Sequence, residues 1–374
     1  MAVDIYTRDR NFHKQDEIDA YESAIWTERY AGDGDFELSV EASSDNLLKL
    51  PKGQIMMCEG SDQPMILETR DIKDDILKTT GITLTKWLNN RTIRVFSTWK
   101  VKEWNLGARK PGQTISYLVQ NTVVAGAPIF DGTWPIGIPV AEVQKWIVPG
   151  LVIGDIDMTG PDITPAIPFA QLYDTIKAIA DSYNVGMKIV IDSVTADDYQ
   201  ISFNTYSGAN RTSDQNVNEV IQFSKEMDSF TDIHDLESIA DSKTHVYVFA
   251  PNADPAIILL PGMANNDNTA QGFDLRVVQE FAEDIDTSGL DSTGLQNILN
   301  QKAATEAGNL KAVSLVDGQI VPTNQIQYGV NYFLGDIVEV KGNTGVLQHA
   351  RITEYIRSKD AAGEKSYPAL AFID

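Results

Sequence analysis

Cysteine is almost missing from this chain: 374 residues contain one, Cys58. A single thiol forms no internal disulfide, and four scattered histidines leave little for metal chemistry. Long apolar runs are missing too. No stretch of about 18 apolar residues occurs, and the run Ala256–Leu260 stops at Pro261. The start, Met1-Ala2-Val3-Asp4, lacks the basic residues of a secretion signal. Synthesis in the cytoplasm, with no membrane insertion of its own, is the expectation. Basic residues are scarce, 30 against 53 acidic, for a formal net charge of −23. That shortage argues against phosphate-neutralising nucleic-acid binding and against an anionic membrane surface. The acidic excess has two readings, solubility or a surface past which DNA slides without sticking.

Motifs of chemistry are equally thin. No Gly-rich loop precedes a Lys-Ser or Lys-Thr pair, and Gly32-x-Gly34 continues into Glu37 where a dinucleotide fingerprint needs glycine. Neither a His-Glu-x-x-His nor a Gly-x-Ser-x-Gly is present. His234-Asp235-Leu236-Glu237 offers a metal ligand set or a general base, but reads more simply as a solvated loop. Asp155-x-Asp157-x-Thr159-Gly160 copies the front of a calcium loop, yet its twelfth position is Ala166 instead of a bidentate Glu. Asp33 and Asp35 flank Gly34 as in a turn. With so many carboxylates, no particular pair stands out as a glycosidase dyad. Trp99, Trp104, Trp134 and Trp146 could stack on sugars, although packing between domains is the stronger expectation. The reading therefore assigns no catalytic, cofactor-binding or metal residues, and no cofactor.

What is present is a strand-rich pattern around a mixed middle. At roughly 100–200 residues per domain, the length allows two to four domains. Phe36, Leu38 and Val40 alternate with Glu37, Ser39 and Glu41, the period of a half-buried strand. Residues 25–30 form a second strand, joined through Ala31-Gly32-Asp33-Gly34-Asp35 as a hairpin. Strands are also expected at 54–59 and 65–70, with a short helical piece over Lys86–Asn90. About six short strands in this part suggest a small barrel or sandwich. Beyond it, Ile115, Leu118, Val119 and Thr122 sit at helical spacing, with Thr114 as the expected N-cap. A Pro- and Gly-rich stretch covers 126–168. An amphipathic helix follows, with Phe169, Leu172, Tyr173, Ile176, Ile179 and Tyr183 on one stripe. It leads into strands at 187–191 and 199–206. The last third returns to strands at 245–250, 276–281, 310–316, 336–341, 347–356 and 367–372. One helix interrupts them, with Leu295, Ile298, Leu299 and Ala303 as its face and Gly308 as its stop. One echo links the ends: Gly53-Gln54-Ile55 to Gly60 resembles Gly335-Asp336-Ile337 to Gly342, each followed by a strand. Chance similarity between edge strands is the alternative to a repeat.

Three segments carry a family resemblance. The first is Gly81-Ile82-Thr83-Leu84-Thr85-Lys86-Trp87-Leu88-Asn89-Asn90-Arg91-Thr92-Ile93. The second is Tyr206-Ser207-Gly208-Ala209-Asn210-Arg211-Thr212 with Val220-Ile221-Gln222-Phe223-Ser224. The third runs from Tyr328-Gly329-Val330-Asn331-Tyr332 through Gly335-Asp336-Ile337-Val338-Glu339-Val340. In this order they resemble segments of siphophage tail-hub (tail-tip or baseplate hub) proteins, the Gp37-like tail proteins. Many such proteins continue into a peptidase, lysozyme or fibre region. The sequence given stops at Asp374, after the last expected strand, and no appended hydrolase is expected.

The resemblance implies an α+β, β-rich fold in which two tail-tube-like antiparallel β-barrels are joined by mixed α/β segments. The expected domains are 1–97, a first barrel; 98–215, a mixed α/β insertion; and 216–374, a second barrel with a helical insertion around 287–308. It also implies a structural, non-enzymatic homotrimer in the virion tail tip, closing the distal tail tube around part of the DNA ejection channel. Implied neighbours are a distal tail protein or tail tube above, a tape measure protein in the lumen, and a spike, fibre or receptor-binding protein below. DNA would pass through without specific binding. The rival readings are the hub of a tail-like bacteriocin or contractile injection system, a tail-associated cell-wall hydrolase, and a monomeric carbohydrate-binding protein.

Overall fold

The structure is a computed structural model that describes residues 4–93, 103–124, 144–168, 170–195, 198–250, 261–283, 292–320, 326–341, 343 and 347–373. Trp99, Trp134, Phe169 and Gly342 lie outside the described residues. Two compact units emerge, one of Met1–His234 with Val316–Asp374, the other of Asp235–Leu315.

In the first unit the alternation around Phe36 becomes the strand Asp35–Glu41, with Phe36, Leu38 and Val40 buried and their neighbours partly exposed. It pairs antiparallel with Ser23–Arg29 on one side and Ile76–Thr83 on the other. Trp26 stacks on Phe36, centroids 5.5 Å apart, over a core that includes Met56, Met65, Leu67 and Leu77. Four elements here escaped the sequence reading: Ile5–Arg8, Lys14–Ile18, the helix Ser44–Lys49 and most of Ile76–Thr83. Lys14–Ile18 has one buried residue in five, too few to show a period. Asp74 and Asp75, both at positive φ, make the tight turn between Met65–Lys73 and Ile76–Thr83, a two-residue hairpin of the primed type.

The middle is α+β. The helix Pro111–Val123 starts one turn earlier than its expected cap: Lys110 is the N-cap and Thr114 is fully buried inside the helix. Pro111 explains the shift, because its fixed φ suits the first helical position, where no N–H is needed. The Thr114 hydroxyl donates back to the Lys110 carbonyl at 3.1 Å. The helix Leu172–Tyr183 buries Leu172, Tyr173, Ile176 and Ile179, whereas Tyr183 at its end is 41% exposed. Asn184 stops it in the left-handed region, at φ 53°. Both helices pack with the sheet Gly186–Thr195, Asp198–Tyr206 and Leu151–Ile153 around Leu118, Ile176, Met187 and Phe203.

The strands of the two chain ends belong to one sheet of 13 strands, open at Phe230–Ser238 and at Lys14–Ile18. No closed barrel forms among the described residues. The fold is mixed α+β and strand-rich.

The echo between the ends is structural. From Ser23–Arg29 the sheet order runs through Asp35–Glu41, Ile76–Thr83 and Met65–Lys73 to Ile55–Cys58. From Phe230–Ser238 it runs through Val313–Ile320, Gly363–Phe372 and Leu347–Asp360, with Ile337–Lys341 beside the last. Chain order matches strand by strand. Register matches as well: Ile55 pairs Ile66 as Ile337 pairs Arg351, and each hairpin has its bulge after the next residue, Leu67 or Ile352. Gly53 N–H donates to Leu67 O at 2.7 Å and Gly335 N–H to Ile352 O at 2.8 Å. Both glycines sit at positive φ, 81° and 88°, where a side chain is disfavoured.

The second unit has a three-stranded sheet, ordered Gly262–Asn265, His245–Phe249, Val277–Phe281, with the helix Ser292–Asn309. Val246, Val248, Leu299, Ala303 and Ala307 form its core. Leu295, Leu299 and Ala303 are buried as the spacing predicts, but Ile298 is only partly so and the helix runs through Gly308 to Asn309.

Candidate functional site

Buried charge concentrates where the two ends of the chain meet. On Ser23–Arg29, Ala24, Trp26 and Glu28 point inward at period two. The bulge between Ile352 and Glu354 switches the phase of Leu347–Asp360, so that Tyr355 and Arg357 turn inward as well. The two strands pair antiparallel, Tyr355 opposite Glu28 and Arg357 opposite Trp26. Arg357 Nη1 donates to Glu28 Oε2 at 2.5 Å and Nη2 to Gly60 O at 2.6 Å. Ser61 Oγ donates to Glu28 Oε1 at 2.5 Å and accepts from Trp26 Nε1 at 3.2 Å. The guanidinium also lies 4.8 Å from the Tyr355 ring centre and 5.5 Å from that of Tyr328, where the aromatic faces favour a cation. Burial opposes the charge on Arg357, but the Glu28 carboxylate outweighs it and holds the guanidinium pKa above its ordinary value.

A second cluster lies alongside. Asp336, 3% exposed, accepts from Arg211 Nε at 2.5 Å, Ala209 N–H at 2.7 Å and Phe333 N–H at 3.0 Å. Arg211 N–H donates to Ile337 O and Ile337 N–H to Ala209 O, so side chain and backbone fasten the same two segments. Gly208 permits the approach: a Cβ there would stand 1.8 Å from Gly335 O. Tyr30 fills the corner, its hydroxyl donating to Asn184 O at 2.9 Å. Its ring lies edge-on to Tyr206 at 5.2 Å. Burial raises the pKa of both phenols, so they remain neutral.

These groups border a cleft of about 770 Å³, lined among others by Glu28, Asp62, Lys188, Tyr206, Tyr328 and Asp336. Glu28, Asp62 and Asp336 each hold an ion pair, to Arg357, Lys188 and Arg211. Glu28 and Asp336, buried and tied in this way, act as fasteners, whereas the Asp62 side chain is 54% exposed and makes a surface pair. A second hollow, about 460 Å³, is apolar and lined by Phe12, Ile55, Trp87 and Leu88 among others.

The residues singled out in the sequence are placed as follows. Asp157 Oδ2 accepts from the hydroxyls of Thr159 and Ser207, and its Oδ1 from Thr159 N–H. It therefore closes a turn with the oxygens a calcium ion would need. Arg29 donates to Asp35 Oδ2 at 2.6 Å and to Asp33 O at 2.9 Å, which locks the hairpin around Gly34. His234 and Glu237 lie exposed on the strand Phe230–Ser238, a strand where a loop was expected. Trp104 belongs to a short strand paired with Ala166–Pro168, and Trp146 O accepts from Arg91 Nε at 3.3 Å. Among the described residues no group of three or more His, Cys, Asp or Glu is placed to hold a metal ion. No helix among them is long and apolar enough to cross a membrane. The reading missed Glu28, Arg357, Ser61 and Tyr30 as members of a site; Arg211 and Asp336 lay within the resembling segments but were given no role.

The solved structures that share the fold include two tail proteins. The tail protein from Neisseria meningitidis MC58 aligns at TM-score 0.56 and 11% identity, over 100% of this chain and 97% of that one. The 43 kDa tail protein of prophage MuSo2 from Shewanella oneidensis aligns at 0.54 and 11%, over 99% and 96%. No curated protein sequence matches the chain. The profile of the Siphovirus ReqiPepy6 Gp37-like proteins matches residues 2–369, and the chain belongs to that family.

Proposed function

We propose that the protein is a structural subunit of a long-tailed phage tail tip or baseplate, a hub that assembles as a homotrimer, closes the distal tail tube and lines part of the DNA ejection channel. The observation that carries this reading is the internal repeat. One chain presents the same five-strand order twice, with matching register in the pairings that Met65–Lys73 and Leu347–Asp360 make, so three copies would offer six equivalent units to a six-fold tube. Membership of a siphovirus family and a fold shared with phage tail proteins support it. In this reading 1–97 and 216–374 are the two tube-like parts and 98–215 the mixed connection. The paired buried charges act as scaffold, and the protein catalyses nothing. A distal tail protein or tail tube sits above, the tape measure protein in the lumen, and a spike, fibre or receptor-binding protein below. The acidic balance, −23 per chain, suits a wall that gives DNA phosphates no foothold. The protein is made in the host cytoplasm and ends in the virion.

The test is mass and shape together. Light scattering should give about 124 kDa, three times 41.2 kDa, and negative-stain images should show a three-fold ring with a central hole. A chain that stays monomeric at high concentration, or a compact particle without a hole, would sink the hub.

A further inference from the structure

Among the described residues the repeat leaves one edge without a strand partner. After its bulge, Leu347–Asp360 pairs on its outer side with Ser23–Arg29, from Glu354 opposite Arg29 to Lys359 opposite Ala24. Met65–Lys73 is its counterpart in the N-terminal repeat. That strand meets Ile55–Cys58 only through Met65 and Ile66. Beyond the bulge, its sole strand partner among the described residues is Ile76–Thr83. Glu68, Thr69, Asp71, Ile72 and Lys73 are exposed, Ile72 by 54%. The counterpart of Ser23–Arg29 is Phe230–Ser238, the terminal strand at the opposite end of the sheet order. Among the described residues, then, one repeat covers the other's edge within a chain, while the equivalent edge and the outer side of the equivalent covering strand meet no further strand, although the Ile233 carbonyl accepts from Asn343 Nδ2 at 3.4 Å.

We propose that Phe230–Ser238 of one copy pairs antiparallel with Thr69–Lys73 of the next, repeating between chains the contact that Ser23–Arg29 makes with Glu354–Lys359 within a chain. The occupant of the edge is thus a second copy of this protein. The contact is head to tail, and such contacts close into rings when the rotation allows. Sheet extension supplies main-chain hydrogen bonds without a large apolar patch, in keeping with the polar character of Thr69–Lys73. Net charge agrees, since Arg70, Asp71 and Lys73 on the edge would meet a strand that carries Asp232, Asp235 and Glu237. The proposal deepens the hub reading and rests on it for the closure at three.

The type of turn selects the test. In a two-residue primed hairpin the residues flanking the turn, here Lys73 and Ile76, bond to each other. The Ile72 N–H and carbonyl therefore point to the uncovered side. I72P removes that donor at an edge, where proline is tolerated, and I72T keeps it. Assembly of the wild-type chain and of I72T should be equal, whereas I72P should weaken association about tenfold or more with little change in melting temperature. A second arm combines I72C on one chain with T231C, I233C or L236C on another, mixed and oxidised. At least one pairing should give an inter-chain disulfide. If I72P assembles like the wild type and no pairing cross-links, the edge contact is overturned and a trimer built on another surface survives. If no variant and no wild-type chain assembles, both the contact and the hub fall.

Discussion

Glu28 and Arg357 stand 329 positions apart in the chain and 2.5 Å apart in the fold, with 2% and 1% of their side chains exposed. Removing one partner strands the other's charge in the core. E28A or R357A should each lose about 3–5 kcal/mol of unfolding free energy. The pair E28L/R357M should recover a large share of that loss, because no charge then remains buried. Urea unfolding of the two single variants and the double variant measures the coupling. Single losses below about 1 kcal/mol would mean that water reaches the pair.

Gly335 and Gly53 occupy matching places in the repeat but unlike surroundings. A Cβ on Gly335 would lie 2.2 Å from the Tyr30 ring, while one on Gly53 would meet only the end of the Arg10 side chain at 3.0 Å. Both substitutions incur the left-handed backbone cost of about 1–2 kcal/mol. G335A adds a clash with a buried ring, so it should lower thermal stability well beyond G53A. Equal shifts in calorimetry would contradict the packing around Tyr30.

Cys58 is fully buried, and burial pushes its thiol from an ordinary 9.0 up to about 12. The folded protein should resist iodoacetamide at pH 8 and yield one alkylated thiol in denaturant. Between pH 9 and 12 the unfolded chain releases this proton while the folded chain keeps it. The folded state then binds more protons, so this contribution to stability is complete below about pH 9 and is lost as pH rises toward 12. Rapid native alkylation at pH 8 would refute the burial.

Legibility followed the range of the signal. Phe36, Leu38 and Val40 announce their strand because period two is visible within six residues, and Leu172 to Ile179 announce their helix in the same way. Lys14–Ile18 does not, because four of its five side chains face water. The cap of Pro111–Val123 was misplaced because a threonine is a good capping residue only where proline does not already fix the start. The Gly-x-Ile echo was visible, but its meaning lay in hydrogen bonds between segments far apart in sequence. The charged junction was hidden for that same reason. Glu28 falls on the inward phase of a readable strand, yet nothing local reveals that Arg357 answers it. A bulge at residue 353 sets that second phase, and the sequence does not announce bulges.

The pairing of Ala24–Arg29 with Glu354–Lys359 also has a consequence for biosynthesis. At about 5–20 residues per second on the ribosome, the strand waits roughly 15–65 seconds for its partner to be made. Throughout that time Ile25 and the open main chain beside it face the crowded medium around the ribosome. The N-terminal repeat is therefore born with an unfinished flank. The acidic side chains, 53 against 30 basic ones, repel neighbouring nascent chains during the wait. A polysome making this protein quickly holds many such flanks at once, and keeping them apart until the C-terminus arrives is a demand on the sequence that no finished particle displays.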